Sequence, residues 1–259
     1  MNERTSPAAV TRVSASGTAA GDDVIVIEEP LEIRIGDKPV SVTMRTPGDD
    51  FDLAAGFLFT EGIVREVDAM RHWGSPNVVR VEVREPVDLQ HLQRHFYSTS
   101  SCGVCGKTSI DALRVQAPRI SSSAVISPSV VHRLPDLLRA SQRTFEQTGA
   151  IHAAGLFSLD GELLRVREDV GRHNAVDKLI GSYVREGRTR LDDTLLMLSG
   201  RAGFEVVQKA VVAGIPIIAA VGAPSSLAVS LADEFNATLL GFVRDGRFNI
   251  YADEGRVAA

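Results

Sequence analysis

Cysteine is nearly missing from this chain: there are two in 259 residues, three positions apart. Such a pair closes no disulfide framework, so a reducing, cytoplasmic setting is expected rather than a secreted, cross-linked one. Long apolar runs are also lacking. None approaches the ~20 residues needed to span a bilayer, so no membrane partner is expected. Aromatics make up 5% of the chain, too few for a base-stacking strip. Positive charge is not in excess: 28 Lys and Arg against 33 Asp and Glu leave a net charge of −5, which weighs against general nucleic-acid affinity. The opening MNERTSPAAVTRVSASGTAAG has no apolar core of the kind a signal peptide needs, so residues 1–22 are expected to form a solvated tail. What is present, 44% apolar and 24% charged residues, suits a globular protein with a real core.

Residues 23–125 read as a smaller N-terminal α+β domain. Short apolar runs at 24–27, 31–35 and 40–44 predict strands, the last two joined at Gly36-Asp37. TPGDDFDLAAGFLFTEG predicts a helix apolar on several sides and therefore buried. NVVRVEV alternates as a strand, after which YSTSSCGVCG is rich in Ser and Gly with no periodicity. Both cysteines are thus expected on a mobile loop.

Residues 126–259 read as a C-terminal α/β domain. VVHRLPDLLRASQRTFEQTG predicts a helix disturbed by proline, and AIHAAGLFSLDGELLRVRED a hairpin turning at Asp160-Gly161. A strand–loop–helix rhythm follows, with one helix opened by Asn174. The unbroken apolar runs LLMLS and IPIIAAV predict strands covered by helices on both faces.

Three strand-to-helix loops would gather at the carboxyl edge of this sheet, where open α/β folds bind ligands. They bring Gly171, Arg172 and His173; then Ser199, Gly200, Arg201 and Gly203; then Gly222, Ser225 and Ser226. Glycines permit close backbone approach, helix starts offer free N–H groups, and the arginines add forked donors, a set suited to phosphates. The loops match neither the Walker nor the dinucleotide-fold glycine pattern, so by themselves they do not name a ligand. His152, inside an apolar strand, reads as a packing residue, and Lys107 as a solvated one.

Three chemistries use the spacing of Cys102 and Cys105. Structural zinc needs four ligands, and only two thiols exist. His91 and His95, or the thiols of a second subunit, would have to complete the site. Zinc deamination is excluded, because Asn174 and Ala175 follow His173 where a Glu is required, and no Pro-Cys-x-x-Cys follows. A redox dithiol belongs at a helix start beside a βαβ unit, whereas this pair lies in a Ser/Gly stretch. A sulfur carrier needs a reachable, partly ionised thiol, which the flanking glycines suit best, by a small margin.

Taken together, RTPGDDFDLAAGFLFTEGI, SSCGVCGK, TGAIHAAGLF, REDVGRHNAVDKLIG, LSGRAGFEVVQKAVVAGIP and GAPSSLAVSLADEFNATLLGFVRDGRFNIY resemble one family, the formate dehydrogenase accessory sulfurtransferases. The likeness runs from about Val24 to Tyr251. It implies a homodimer with a C-terminal half similar to cytidine deaminases but without their zinc. It implies sulfur taken from a cysteine desulfurase and passed to the bis(molybdopterin guanine dinucleotide) molybdenum cofactor of formate dehydrogenase. The persulfide cysteine of the family motif falls on Cys102, and the second cysteine on Cys105. The family's guanine-dinucleotide contacts fall on Phe242, Val243, Arg244, Asp245, Gly246 and Arg247, and Arg172, His173, Ser199, Arg201 and Ser225, read above from the loops themselves, are expected to join them. A dithiol oxidoreductase and a cofactor chaperone that needs no thiol remain the alternatives.

Overall fold

The computed structural model describes residues 4–83, 87 and 117–258. The expected CxxC loop, with Cys102, Cys105, His91, His95 and Lys107, lies outside the described residues.

The chain opens with a hairpin. Residues 1–22 were expected to form a tail, yet β1 (Thr5–Ser14) pairs antiparallel with β2 (Gly17–Val26) over ten residues each. Gly17, at a φ of 131°, supplies the turn. This hairpin buries almost nothing on either face, so it lacks the apolar alternation by which a sequence announces a strand.

β3 (Glu29–Ile35), β4 (Lys38–Arg45), β5 (Ala69–His72) and β6 (Val78–Glu82) form a four-stranded sheet in the order β4-β3-β6-β5. Helix α1 (Asp50–Thr60) packs on it through Leu53, Ala54 and Leu58, which meet Leu31, Ile33, Val79 and Val81. Burying each such side chain contributes roughly 1.5–3 kcal/mol. β5 was not expected, since four residues of mostly exposed strand carry no legible pattern.

A second sheet of six strands has the order β12-β11-β10-β9-β7-β8. Its strands are β7 (His152–Ser158), β8 (Leu163–Asp169), β9 (Thr194–Leu198), β10 (Ile217–Ala220), β11 (Thr238–Arg244) and β12 (Arg247–Ala252). β9, β10 and β11 are parallel, β7 is antiparallel to both β8 and β9, and β12 is antiparallel to β11. β8 therefore ends on the same edge as β9, β10 and β11, and β7 begins there.

All five residues of β9 and all four of β10 are buried. Leu196, Leu198, Ile218 and Ala220 face helices α4 (Arg172–Val184), α5 (Phe204–Val212) and α6 (Ser226–Glu234). Leu195, Met197, Ile217 and Ala219 face the opposite layer, where helix α2 (Pro128–Ala140) supplies Val131, Leu134 and Leu138. Alternate residues thus feed two separate cores, as the unbroken apolar runs require.

Two boundaries differ from expectation. Pro135 sits inside α2 without ending it, and the break to the short helix α3 (Arg143–Thr148) falls at Ser141-Gln142. Helix α4 opens at Arg172 with Gly171 as its cap rather than at Asn174. The Asn174 amide is committed elsewhere: it donates to the Met44 carbonyl at 2.7 Å and to Asp169 at 3.0 Å.

The two sheets meet through α1 and α4. A β-carbon at Gly56 would stand 1.8 Å from the Asp177 carbonyl oxygen, and one at Gly181 would stand 1.9 Å from that of Asp52. The helices therefore cross backbone to backbone at two glycines. Ion pairs built on the buried Asp52, Asp177 and Lys209 flank this crossing. Asp52 pairs with Arg167 and Arg185, and Lys209 pairs with Asp177 and Glu61 at 3.0 Å each. Burial works against the Lys209 charge, but Asp177 and Glu61 outweigh it and hold the ammonium protonated.

Candidate functional site at the carboxyl edge of the six-stranded sheet

The site grows from the ends of β8, β9, β10 and β11. Where β8 stops, Asp169 is fully buried and takes four donors. One oxygen accepts from the Gly171 amide at 2.8 Å and from Asn174 at 3.0 Å. The other accepts from Lys178 Nζ at 2.7 Å and from the Thr46 amide at 3.2 Å. Lys178, also fully buried, donates onward to the Thr46 carbonyl at 2.7 Å. These bonds hold the turn that delivers Arg172 and His173 at the head of α4. His173 Nε2 then lies 2.8 Å from Glu205 Oε2 on the first turn of α5.

Past β9, Ser199 extends the ladder with β7. Its amide donates to the Ala153 carbonyl at 3.0 Å, and its hydroxyl accepts from the Ala153 amide at 2.8 Å. Beyond it, the loops are laced together. The Gly222 amide donates to the Gly200 carbonyl at 3.0 Å, the Ser225 amide to that of Ala202 at 3.2 Å, and the Phe242 amide to that of Gly222 at 3.1 Å. Ser225 caps α6, its hydroxyl accepting from the Ala228 amide at 3.3 Å. Glycine is needed at 222, where a β-carbon would meet Arg201 Cγ at 3.0 Å and the Gly200 carbonyl at 3.1 Å. Arg201 is exposed beside it.

Phe242 adopts a φ of 53° in an irregularity of the β11–β12 pairing, and Asp245 and Gly246 turn the chain with φ of 54° and 68°. Arg244, Asp245, Gly246 and Arg247 are exposed there. The Val243 side chain turns away from this surface: it is fully buried in the core beneath α2, while its neighbours in the strand point outward. The structure therefore brings Arg172, His173, Ser199, Arg201, Ser225 and Phe242 onto one edge, with the 244–247 turn at its end.

Sequence reasoning missed two members of this edge. Asp169 was given no role of its own, yet it organises the turn. His152, read as packing, opens β7 opposite Asp169 and stands next to Gly200. Burial lowers its pKa, reinforced by the charges of Arg172 and His173 and opposed by Asp169. The only signal that could have found it is the cross-strand register, which a single sequence does not display.

Among the described residues, no group of three or more His, Cys, Asp or Glu side chains could hold a metal ion. No helix there is long and apolar enough to cross a membrane. Two cavities lined by described residues lie away from the edge. One of about 540 Å³ lies among the ion-paired Arg45, Asp50, Asp52 and Arg185, and one of about 570 Å³ lies beside Thr144 and Glu168. What the edge offers is arginines, imidazoles and exposed backbone beside glycines, a surface for an anionic ligand bearing phosphates.

A crystal structure of a candidate formate dehydrogenase accessory protein from Desulfotalea psychrophila has the same fold. It superposes with a TM-score of 0.80 at 24% identity, covering 98% of this chain and 100% of that one. Two proteins named sulfur carrier protein FdhD are more similar in sequence. That of Streptomyces avermitilis is 49% identical over 96% of this chain and 94% of its own. That of Mycolicibacterium paratuberculosis is 48% identical over 98% of each. The model of the FdhD/NarQ family matches residues 26–258, which takes in both sheets and every loop of the edge, and the chain therefore belongs to that family.

Proposed function

We propose that this protein carries sulfur as a cysteine persulfide for the activation of formate dehydrogenase. It would take sulfur from a cysteine desulfurase and give it to the enzyme's bis(molybdopterin guanine dinucleotide) cofactor, its substrate here. The observation that carries this reading is the 49% identity, over 96% of the chain, to a protein named as a sulfur carrier. The chain's two thiols, both within SSCGVCGK, supply the chemistry such a carrier needs.

In the first step the Cys102 thiolate attacks the terminal sulfur of the desulfurase persulfide. One S–S bond forms as another breaks, and the desulfurase cysteine leaves as a thiolate, so no external oxidant or reductant is required. Cys105 is auxiliary. It lies near enough in sequence to attack a persulfide on Cys102, which would release sulfide and close a disulfide.

The guanine dinucleotide would lie along the carboxyl edge, its pyrophosphate toward Arg172 and Arg201 and its remaining contacts from Phe242 and the 244–247 turn. The C-terminal half is read as cytidine-deaminase-like without zinc, the assembly as a homodimer, and the setting as the cytoplasm.

The test is activation of formate dehydrogenase by single variants. Cys102→Ala is expected to abolish activation, while Cys105→Ala retains part of it. A fully active Cys102→Ala protein would reverse the roles. A double variant that still activates the enzyme would replace thiol chemistry with simple holding of the cofactor.

A further inference from the structure

His152 sits where four elements converge. It is half-buried at the start of β7, opposite Asp169 at the end of β8. A β-carbon at Gly200 would come within 3.3 Å of its Nδ1 and 3.5 Å of its Cε1, so the ring lies against bare backbone of the loop after β9. That loop is tied to the next through the Gly200–Gly222 bond. The charges acting on the ring are Arg172 and His173 from α4, Arg201 from the β9–α5 loop, and Asp169. Asp169 is already committed to Lys178, Asn174 and two backbone amides, and Glu205 is committed to His173. The two arginines have no such carboxylate among the described residues. The imidazole itself makes no hydrogen bond to a described residue. Its place is one that an anion would complete.

We propose that His152 is a direct ligand of the phosphoryl group bound at this edge and takes up a proton from solvent as that anion binds. The inference rests on reading the edge as the guanine-dinucleotide site and adds a contact and a proton to it. In the free protein, burial and the neighbouring cations disfavour the charged form of the ring. An anion among Arg172, His173 and Arg201 reverses the sign of the field at His152 and favours the imidazolium, which then donates a charge-assisted hydrogen bond. A group that binds more protons in the complex than in the free protein makes binding tighter as pH falls.

The probe is diguanosine 5′,5′-pyrophosphate, whose bridging pyrophosphate has no ionisation near neutral pH and so contributes no proton of its own. Its binding is followed by calorimetry in two buffers of different ionisation enthalpy. The wild-type protein is expected to take up a fraction of a proton near neutral pH. Its affinity should rise between about pH 8 and about pH 6, by at most about tenfold per unit. His152→Gln should bind about tenfold or more weakly and lose the uptake.

If wild type binds and the variant matches it in affinity and uptake, the inference falls, the proton is taken up elsewhere, and the edge site stands. If wild type does not bind the probe, the reading of the edge falls and the inference with it. Should His152→Gln fail to fold, Gly200→Ala decides, since it crowds the ring while leaving its acid–base chemistry in place. Weaker binding by a folded Gly200→Ala protein supports the contact, and unchanged binding overturns it.

Discussion

Arg201 stands exposed above Gly222, with its guanidinium free to turn toward a ligand on the laced loops. Removing one charge-assisted phosphate contact costs roughly 1.5–3 kcal/mol, or about ten- to a hundredfold in affinity. Arg201→Ala is therefore expected to weaken GDP binding by that factor, measured by calorimetry; equal affinity would take Arg201 out of the site. His152 gives a stability prediction with a definite sign. Its folded pKa lies below the ordinary 6.5, so the unfolded chain binds more protons as pH falls through that value. Urea unfolding should show wild type losing stability below about pH 6.5 more steeply than His152→Gln. At this scale the sequence disclosed what sits in a local pattern. Arg172, His173, Arg201 and Ser225 each follow an apolar run that ends in glycine or at a helix start. It hid what depends on register: Asp169 and His152 meet only because β7 pairs with β8, and Val243 turns inward from a segment that looked like one contact surface.

Among the elements, α1 and α4 decide how the two sheets are joined. Alanine is a better helix former than glycine by about 1 kcal/mol, so propensity alone would favour Gly56→Ala. Its methyl would, however, stand 1.8 Å from a backbone oxygen that no side-chain rotation can move aside. Clash wins, and the variant is expected to lose about 3 kcal/mol or more of unfolding free energy in urea titration. The β1–β2 hairpin makes the opposite prediction. A two-stranded ribbon with little buried surface is marginal by itself, so its amides should exchange fastest among the strands, while those of β9 and β10 exchange slowest. Slow exchange across Thr5–Val26 would mean that something covers the hairpin. The strands and helices that bury apolar faces were legible; β1, β5 and all of β2 before Val24 were not, because backbone pairing holds them without an apolar pattern.

The whole molecule is held across its two sheets by buried charge as well as by the glycine crossing. Lys209 reaches Asp177, Glu61 and the Thr60 hydroxyl, and Asp177 is almost wholly buried. Lys209→Met strands these carboxylates and is expected to cost about 3–5 kcal/mol, read as a lower urea midpoint with an unchanged slope. None of this network was visible in the sequence, since Thr60 and Glu61 lie more than a hundred residues from Asp177 and Lys209. The sulfur-carrier reading, by contrast, was carried by six motifs in order, and the match over 26–258 covers all of them. Its most direct test is mass spectrometry of the purified protein after incubation with a cysteine desulfurase and cysteine. A gain of ~32 Da per sulfur is expected, on the peptide that contains Cys102, and persisting in Cys105→Ala. No added sulfur, or sulfur confined to Cys105 with Cys102→Ala unaffected, would contradict it.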